Sequence, residues 1–545
     1  MHNDKGRKKH GSVKRTHTSS KKQQLTLSEL QSRFEIQNNI SGESTDSSVD
    51  GTILTPTSTS TPDSVSNAQT TPPTSNSSSS ATSTATAQTT AKMSRTQMKR
   101  KQSSPMAPAF MVSAPGKVIV FGEHAVVHGK AALAAAISLR SYLLVTTLSK
   151  SHRTVTLNFR DIGLDHTWDI DSLPWNVFKH PSKKKMYYDL VTELDPDLVA
   201  AVQPHAAAVS TDKPDDVRKI HQSSAAQFLY LFLSLGSPES HAAIYTLRST
   251  IPIGAGLGSS ASVSVCLSAA LLLQIRTLAG PHPDQPPEEA EVQIERINRW
   301  AFVGEIFCRR QSSPFPTERL QQTAHRNTIK QIPRITTPAG QHAPIALNGR
   351  RSRQVGRLRE THPEVTEAML DTIDKVTMSA SEMIKESDFE EDEEALEEFG
   401  ALFRINHGLL VSLGVSHPRL ERIRELVDYA NIGWTKLTGA GGGGCAITLI
   451  RPDATPETLK DLEAKLAAEN FEKFETTLGG DGVGVLYPAV LRNGSNEEGG
   501  EEIDQQKFEN AVGMEGIDKL VGTHSTMQER REGWKFWKRA GGWTK

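Results

Sequence analysis

The stretch PIGAGLGSS, residues 252–260, sets glycine at 254, 256 and 258 and a serine pair directly ahead of the apolar run ASVSVCLSAALLLQI. A strand-like segment, HAAIYTLRS, precedes it, so the order reads strand, turn, helix from about Ser259. The first N–H groups of a helix have no partner within it and sit at the positive end of its dipole. Glycine lets backbone approach closely and take positive φ, so successive N–H groups in such a turn can wrap a phosphate. Ser259 and Ser260 add hydroxyls that can cap the helix or ligate a metal riding on that phosphate. The spacing matches neither the Walker pattern nor the dinucleotide fingerprint. A bare turn of this kind serves packing as readily as phosphate binding.

Two further segments bear on that choice. MVSAPGKVIVFGEHAVVHGKAALAAAI (111–137) sets Lys117, Glu123 and His124 into a β-like run where charge is awkward to bury without purpose. WTKLTGAGGGGCAITLI (434–450) places a second glycine-dense loop immediately before a strand, which fits a loop packed against a ligand or another backbone better than a linker.

Elements that must position these residues alternate in type. RSYLLVTTLS is strand-like, whereas PEVTEAMLDTIDKVTMSASEMI repeats apolar residues at helical spacing behind Pro363. Its stripe, Val365, Met369, Ile373, Val376, Ala380 and Met383, is expected to be core. Residues 1–108 are Ser/Thr-rich, with basic clusters KGRKKHGSVKR and RTQMKRKQ, and are expected to be a disordered arm. Residues 491–545 are expected to be a polar tail. The 545 residues carry a net charge of -1, which gives no pull toward nucleic acid or anionic membrane. Cys266, Cys308 and Cys445 form no metal-ligand spacing, and no apolar run is long enough to span a bilayer, so a cytoplasmic protein is expected.

Taken together and in this order, PIGAGLGSSA, APGKVIVFGEHAVVHGK and TKLTGAGGGGCAI resemble the GHMP kinase superfamily, and within it the mevalonate kinases. INRWAFVGE (297–305) and INHGLLVSLGVSHPRLERI (405–423) are similar to the same family. The resemblance implies a two-domain α+β fold: an N-terminal domain like the second domain of ribosomal protein S5 (109–304) and a ferredoxin-like C-terminal domain (361–490). It implies phosphorylation of (R)-mevalonate by ATP, in isoprenoid and sterol synthesis. Gly254, Ala255, Gly256, Leu257, Gly258, Ser259 and Ser260 would hold the phosphates, with Ser249 near the nucleotide. Ser260 and Glu305 would ligate Mg²⁺, Lys117 would sit near the γ-phosphate and reacting hydroxyl, and Glu123 and His124 would face mevalonate. Asp161, in RDIG, stands where the family often has an Asn contacting nucleotide. A homodimer and feedback inhibition by prenyl diphosphates are implied as well.

One segment departs from the family. After VGE the family continues His-Gly-Asn-Pro-Ser-Gly-Val-Asp, whose Asp accepts the substrate's hydroxyl proton. Here Pro316 stands in its place, and no Asp occurs from Ile306 to His362. Three readings compete for this aberrant segment (305–360): a repaired enzyme using Glu318, a non-catalytic ATP-binding sensor, or out-of-frame or intron-derived sequence over residues 306–355. The third accounts best for a Pro-rich basic run of about fifty residues inside a compact domain. Some codon choices for QHAPIALNGRRSRQ, read one base later, give Ser-Thr-Val-Val-Glu-Ala-Gly-Lys, similar to what the family carries before KLKETHPEV. A GHMP kinase for another small alcohol is the remaining alternative, which GEHAVVHGK argues against.

Overall fold

FMVSAPGKVIVF is apolar on both alternating faces, the pattern of a central strand. It forms β2 (Phe110–Phe121), buried at every position. The computed structural model describes residues 34–39, 107–149, 151–191, 193–253, 256–282, 284–312, 349–385, 393–439, 444–476, 478, 481–491, 500–521 and 533–538. All belong to the larger of two units into which the chain divides, residues 1–41 with 105–545.

β2 pairs antiparallel with β3 (Leu133–Thr147), with register shifts at Pro115/Lys117 and Ile119/Phe121. Across the first shift Pro115 pairs with Arg140 and Lys117 with Ala136, so the extra residues lie on β3, and a break in the ladder there fits a proline with no N–H to give. The sheet continues through β6 (Ala243–Ser249), β4 (Thr154–Phe159) and β5 (Leu164–Asp169), and on its other side through β10 (Gly484–Leu486) to β13 (Lys535–Phe536). Only β4 and β6 run parallel within it.

Alternation divides its residues between two layers. Val112, Ala114, Leu143 and Val145 point into a core shared with α1 (Pro196–Ala207), α2 (Asp215–Leu235), α3 (Ser259–Gln274) and α4 (Pro287–Ser312). Met111, Tyr142 and Leu144 point the other way, against Leu486, Leu491, Ile503, Phe508, Ile517 and Val521.

A second, antiparallel sheet has the order β7 (Gly433–Leu437), β8 (Gly444–Ile450), β1 (Phe34–Asn39), β9 (Phe471–Glu475). Around it are α5 (Gly349–Thr361), α6 (Pro363–Lys385), α7 (Glu393–Ser412), α8 (Pro418–Ala430) and α9 (Pro456–Ala468). α8 and α9 each start with proline at the first helical position, behind His417 and Thr455 caps.

Three expectations are corrected. Within the arm read as disordered, Phe34–Asn39 is a strand between β8 and β9; FEIQNN alternates apolar with polar over its first four residues, a local signal that the segment's average composition hid. The tail read as polar forms β12 (Glu501–Glu502), α10 (Gln505–Asn510), α11 (Gly513–Val521) and β13, with β12 on β11 (Val490–Leu491). Its few apolar residues fall at spacings that meet the sheet's second face. In α6, Ile373, Val376 and Ala380 are core, but Val365 is exposed: the first turn buries Thr366 instead, on the face continued by Leu370 and Ile373. The rest of residues 1–108 (33 and below, 40–106), and 313–348 of the departing segment, lie outside the described residues.

Candidate active site

β6 ends at Ser249 and α3 begins at Ser259, as the glycine turn predicts. Gly256 and Gly258 take φ of 77° and 79°, the left-handed region that disfavours any side chain. Gly258 occupies the N-cap position of α3 and, having no side chain, does not itself cap the helix's first N–H groups. The Leu257 carbonyl accepts from the Lys117 N–H at 2.8 Å. A Cβ on Gly258 would lie 2.7 Å from Lys117 Cγ, and one on Gly116 2.9 Å from Leu257 O, so both glycines are required by the approach of β2 to this turn. A Cβ on Gly439 would lie 4.0 Å from Gly256 O, so the start of the second glycine-dense loop reaches the same place. Three segments distant in sequence thus converge. Gly254, Ala255 and residues 440–443 lie outside the described residues.

Ser260 Oγ donates to Glu305 Oε1 at 2.7 Å, and Glu305 is 6% exposed. A hydroxyl and a carboxylate so placed are hard oxygen donors beside the helix start. Among the described residues no three His, Cys, Asp or Glu side chains gather as a metal cluster. One carboxylate and one hydroxyl suit an ion whose remaining ligands are phosphate oxygens and water. Lys117, 2% exposed, lies alongside Gly258.

Ser249 is held from two sides. Its N–H donates to Asp161 Oδ2 at 2.7 Å, and its Oγ accepts from the Ile251 N–H at 3.1 Å. Asp161 Oδ1 accepts from Arg248 Nε at 2.7 Å, so the carboxylate expected near nucleotide is turned to Arg248 and the Ser249 backbone.

Glu123 and His124 follow β2. His124 takes φ of 61°, a strained value for a non-glycine residue, and is 7% exposed. Glu123 is fully buried: one carboxylate oxygen pairs with Lys436 Nζ and the other accepts from Asn406 Nδ2 at 3.0 Å. Lys436 also donates to the Leu437 carbonyl at 2.8 Å. Burial pushes the Glu123 carboxyl up and the Lys436 ammonium down, and their mutual attraction opposes both shifts. Sequence reasoning did not single out Lys436 or Asn406, although both lie in quoted motifs; a lysine between Thr435 and Leu437 in a strand was the available signal.

Comparison with known proteins gives this constellation its context. The GHMP kinases N terminal domain model matches residues 224–285, and the GHMP kinases C terminal model matches 386–472. The mevalonate kinase of Aspergillus fumigatus is 69% identical over 459 residues, covering 81% of this chain and 85% of that protein. The chain belongs to the mevalonate kinase family. The Gibberella zeae mevalonate kinase is 60% identical, covering 82% of this chain and 90% of its own length, and the Candida albicans one is 35% identical over 78% and 99%. As a family of GHMP phosphotransferases, these proteins use ATP. The fold agrees with membership: two α+β portions, one carrying the N-terminal match on α2 and α3, the other the C-terminal match on α7, α8 and the second sheet. No helix among the described residues is long and apolar enough to cross a membrane.

Proposed function

We propose that the chain binds ATP at the Gly254–Ser260 turn and (R)-mevalonate beside Lys117 and His124, for transfer of the γ-phosphoryl group to the 5-hydroxyl. The observation that carries this is the convergence of Lys117, Gly258 and the Ser260–Glu305 pair at the start of α3. Phosphoryl transfer is mostly positioning and charge neutralisation. The N–H groups of the turn would hold phosphate oxygens, and Lys117 would supply fixed positive charge where the γ-phosphate meets the hydroxyl. Ser260 and Glu305 would hold Mg²⁺, which when bound neutralises phosphate charge. The hydroxyl oxygen forms the new P–O bond, the bond to the β-phosphate oxygen breaks, ADP leaves, and the hydroxyl proton needs an acceptor. Glu123, expected to face mevalonate, lies fully buried against Lys436 and Asn406, and its part in this reading is to hold the chain beside His124.

The reading carries with it the two domain spans 109–304 and 361–490, a homodimer, a cytoplasmic location, no use of nucleic acid or membrane, and feedback by prenyl diphosphates competing with ATP. It also assigns residues 306–355 to out-of-frame sequence, because Pro316 stands where the proton acceptor belongs and no Asp lies nearby. That same observation favours a second reading, an ATP-binding sensor without turnover.

Calorimetric titration with a Mg²⁺-bound non-hydrolysable ATP analogue and with mevalonate, followed by an ADP-release assay, tests both. Binding of both ligands with mevalonate-dependent ADP release supports the kinase. Nucleotide binding with no release in the presence of mevalonate supports the sensor, and no nucleotide binding sinks both. Sequencing the transcript across the codons for Glu305 to Glu364 decides the frame: a Gly-Asn-Pro-Ser-Gly-x-Asp segment there establishes the error.

A further inference from the structure

The residues beyond Leu491 do more than cover the outer face of the seven-stranded sheet. Their apolar side chains, Ile503, Phe508, Ile517 and Val521, attach them to Met111, Tyr142 and Leu144. A separate polar chain runs from α10 to the glycine turn. Arg248, at the end of β6 and 6% exposed, donates through Nη1 to the Phe508 carbonyl at 3.0 Å and the Glu509 carbonyl at 2.8 Å. Those carbonyls close α10, where they have no partner within the helix and attract a cation. The Glu509 carboxylate accepts from Asn158 Nδ2 at 2.8 Å, which ties the same turn to β4. Through Nε, Arg248 holds Asp161, whose other oxygen accepts the Ser249 N–H at 2.7 Å. Ser249 is the last residue of β6, and the phosphate-binding turn departs from it.

We propose that α10 is a positioning element of the nucleotide site, acting through Arg248 and Asp161 to fix the point from which the phosphate turn leaves β6. This rests on the reading of that turn as the ATP site. The apolar contacts anchor the segment, and the polar chain aligns it; substitutions in the chain therefore separate the two jobs. Loss of Asp161's cation partner frees the carboxylate and the Ser249 backbone together, and a charge-assisted hydrogen bond of this kind is worth more than a neutral one.

The test uses the full chain with Arg248→Gln, Arg248→Lys and Glu509→Ala, measuring affinity for the Mg²⁺-bound ATP analogue, affinity for mevalonate, and thermal midpoint. Arg248→Gln is expected to weaken nucleotide binding about ten-fold and to leave mevalonate affinity within about two-fold. Arg248→Lys recovers part of the loss, since an ammonium can still pair with Asp161. Should Arg248→Gln fail to fold, Glu509→Ala removes the link to β4 together with the Gln505 hydrogen bond inside α10, leaves the Arg248 contacts to the backbone carbonyls in place, and is expected to cost about three-fold in nucleotide affinity. Unchanged nucleotide affinity in the variants, or equal loss of both ligands, overturns the inference while leaving the ATP site in place. A parent chain that binds no nucleotide overturns the site and this inference with it.

Discussion

His407 shows how one buried ring carries a pH limit into the second half of the molecule. Its Nδ1 accepts from the Leu437 N–H at 3.2 Å, and its Nε2 lies 3.0 Å from Glu421 Oε1. The ring is therefore neutral with its proton on Nε2; a second proton on Nδ1 would face the Leu437 N–H. Burial holds its pKa below the ordinary histidine value, aided by Lys436 and Arg424 and opposed by Glu421. The unfolded chain consequently takes up the proton first, so the ring's contribution is fully present above about pH 6.5 and is lost as pH falls below that value through the lower folded-state pKa, at up to about 1.4 kcal/mol per pH unit. Thermal midpoints measured from pH 7.5 down to 5.5 should fall less steeply for His407→Gln than for the parent. Parallel slopes would show that His407 is not the source. A second expectation concerns the ion site: Glu305→Gln should weaken nucleotide binding about ten-fold when Mg²⁺ is present and much less when it is chelated. Equal loss under both conditions would remove Glu305 from the ion site. Ser260 and Glu305 were legible as partners because each stands in its own motif. The partner of Glu123 was not, since Lys436 lies 313 residues away and only the fold brings it back.

At the scale of elements, two glycines separate local preference from packing. Gly400 lies inside α7, where alanine is intrinsically better by about 1 kcal/mol. A Cβ there would sit 2.2 Å from the Trp434 ring, and Trp434 is 1% exposed and has nowhere to go. Overpacking of this severity costs about 1–3 kcal/mol and outweighs the propensity gain. Gly400→Ala should lower the midpoint of chemical denaturation, and a raised midpoint would mean that α7 slides freely on β7. Gly258→Ala meets both a left-handed backbone and Lys117 Cγ, so it should cost about 1–3 kcal/mol of stability and weaken nucleotide binding as well. The glycine turn, β2, β3 and the helix behind Pro363 were readable because their period or punctuation is local. The tail was not, because Phe508, Ile517 and Trp537 are too sparse to show a period until the face that receives them is known.

At the scale of the whole molecule, the proposed nucleotide turn keeps the family's sequence, whereas on the acceptor side Pro316 stands where the family has its aspartate. α4 carries Glu305 within the buried core, and the described structure resumes with α5 at Gly349. The reacting hydroxyl would meet Lys117 there without the carboxylate that the family uses to take its proton, a group worth about a hundred- to ten-thousand-fold in rate. Restoring that carboxylate alone does not restore its setting, because an aspartate acts as a base only when strand and loop hold it at hydrogen-bond distance from the hydroxyl. Pro316→Asp should therefore leave mevalonate-dependent ADP release unchanged. Replacing residues 306–355 with the aligned segment of the Aspergillus fumigatus relative should raise it by about a hundred-fold or more, with nucleotide affinity little altered. Full rescue by Pro316→Asp would mean that the segment is sound and lacks one residue. A parent chain as fast as the exchanged one would mean that residues 306–355 hold a working base of their own, with Glu318 the first to substitute.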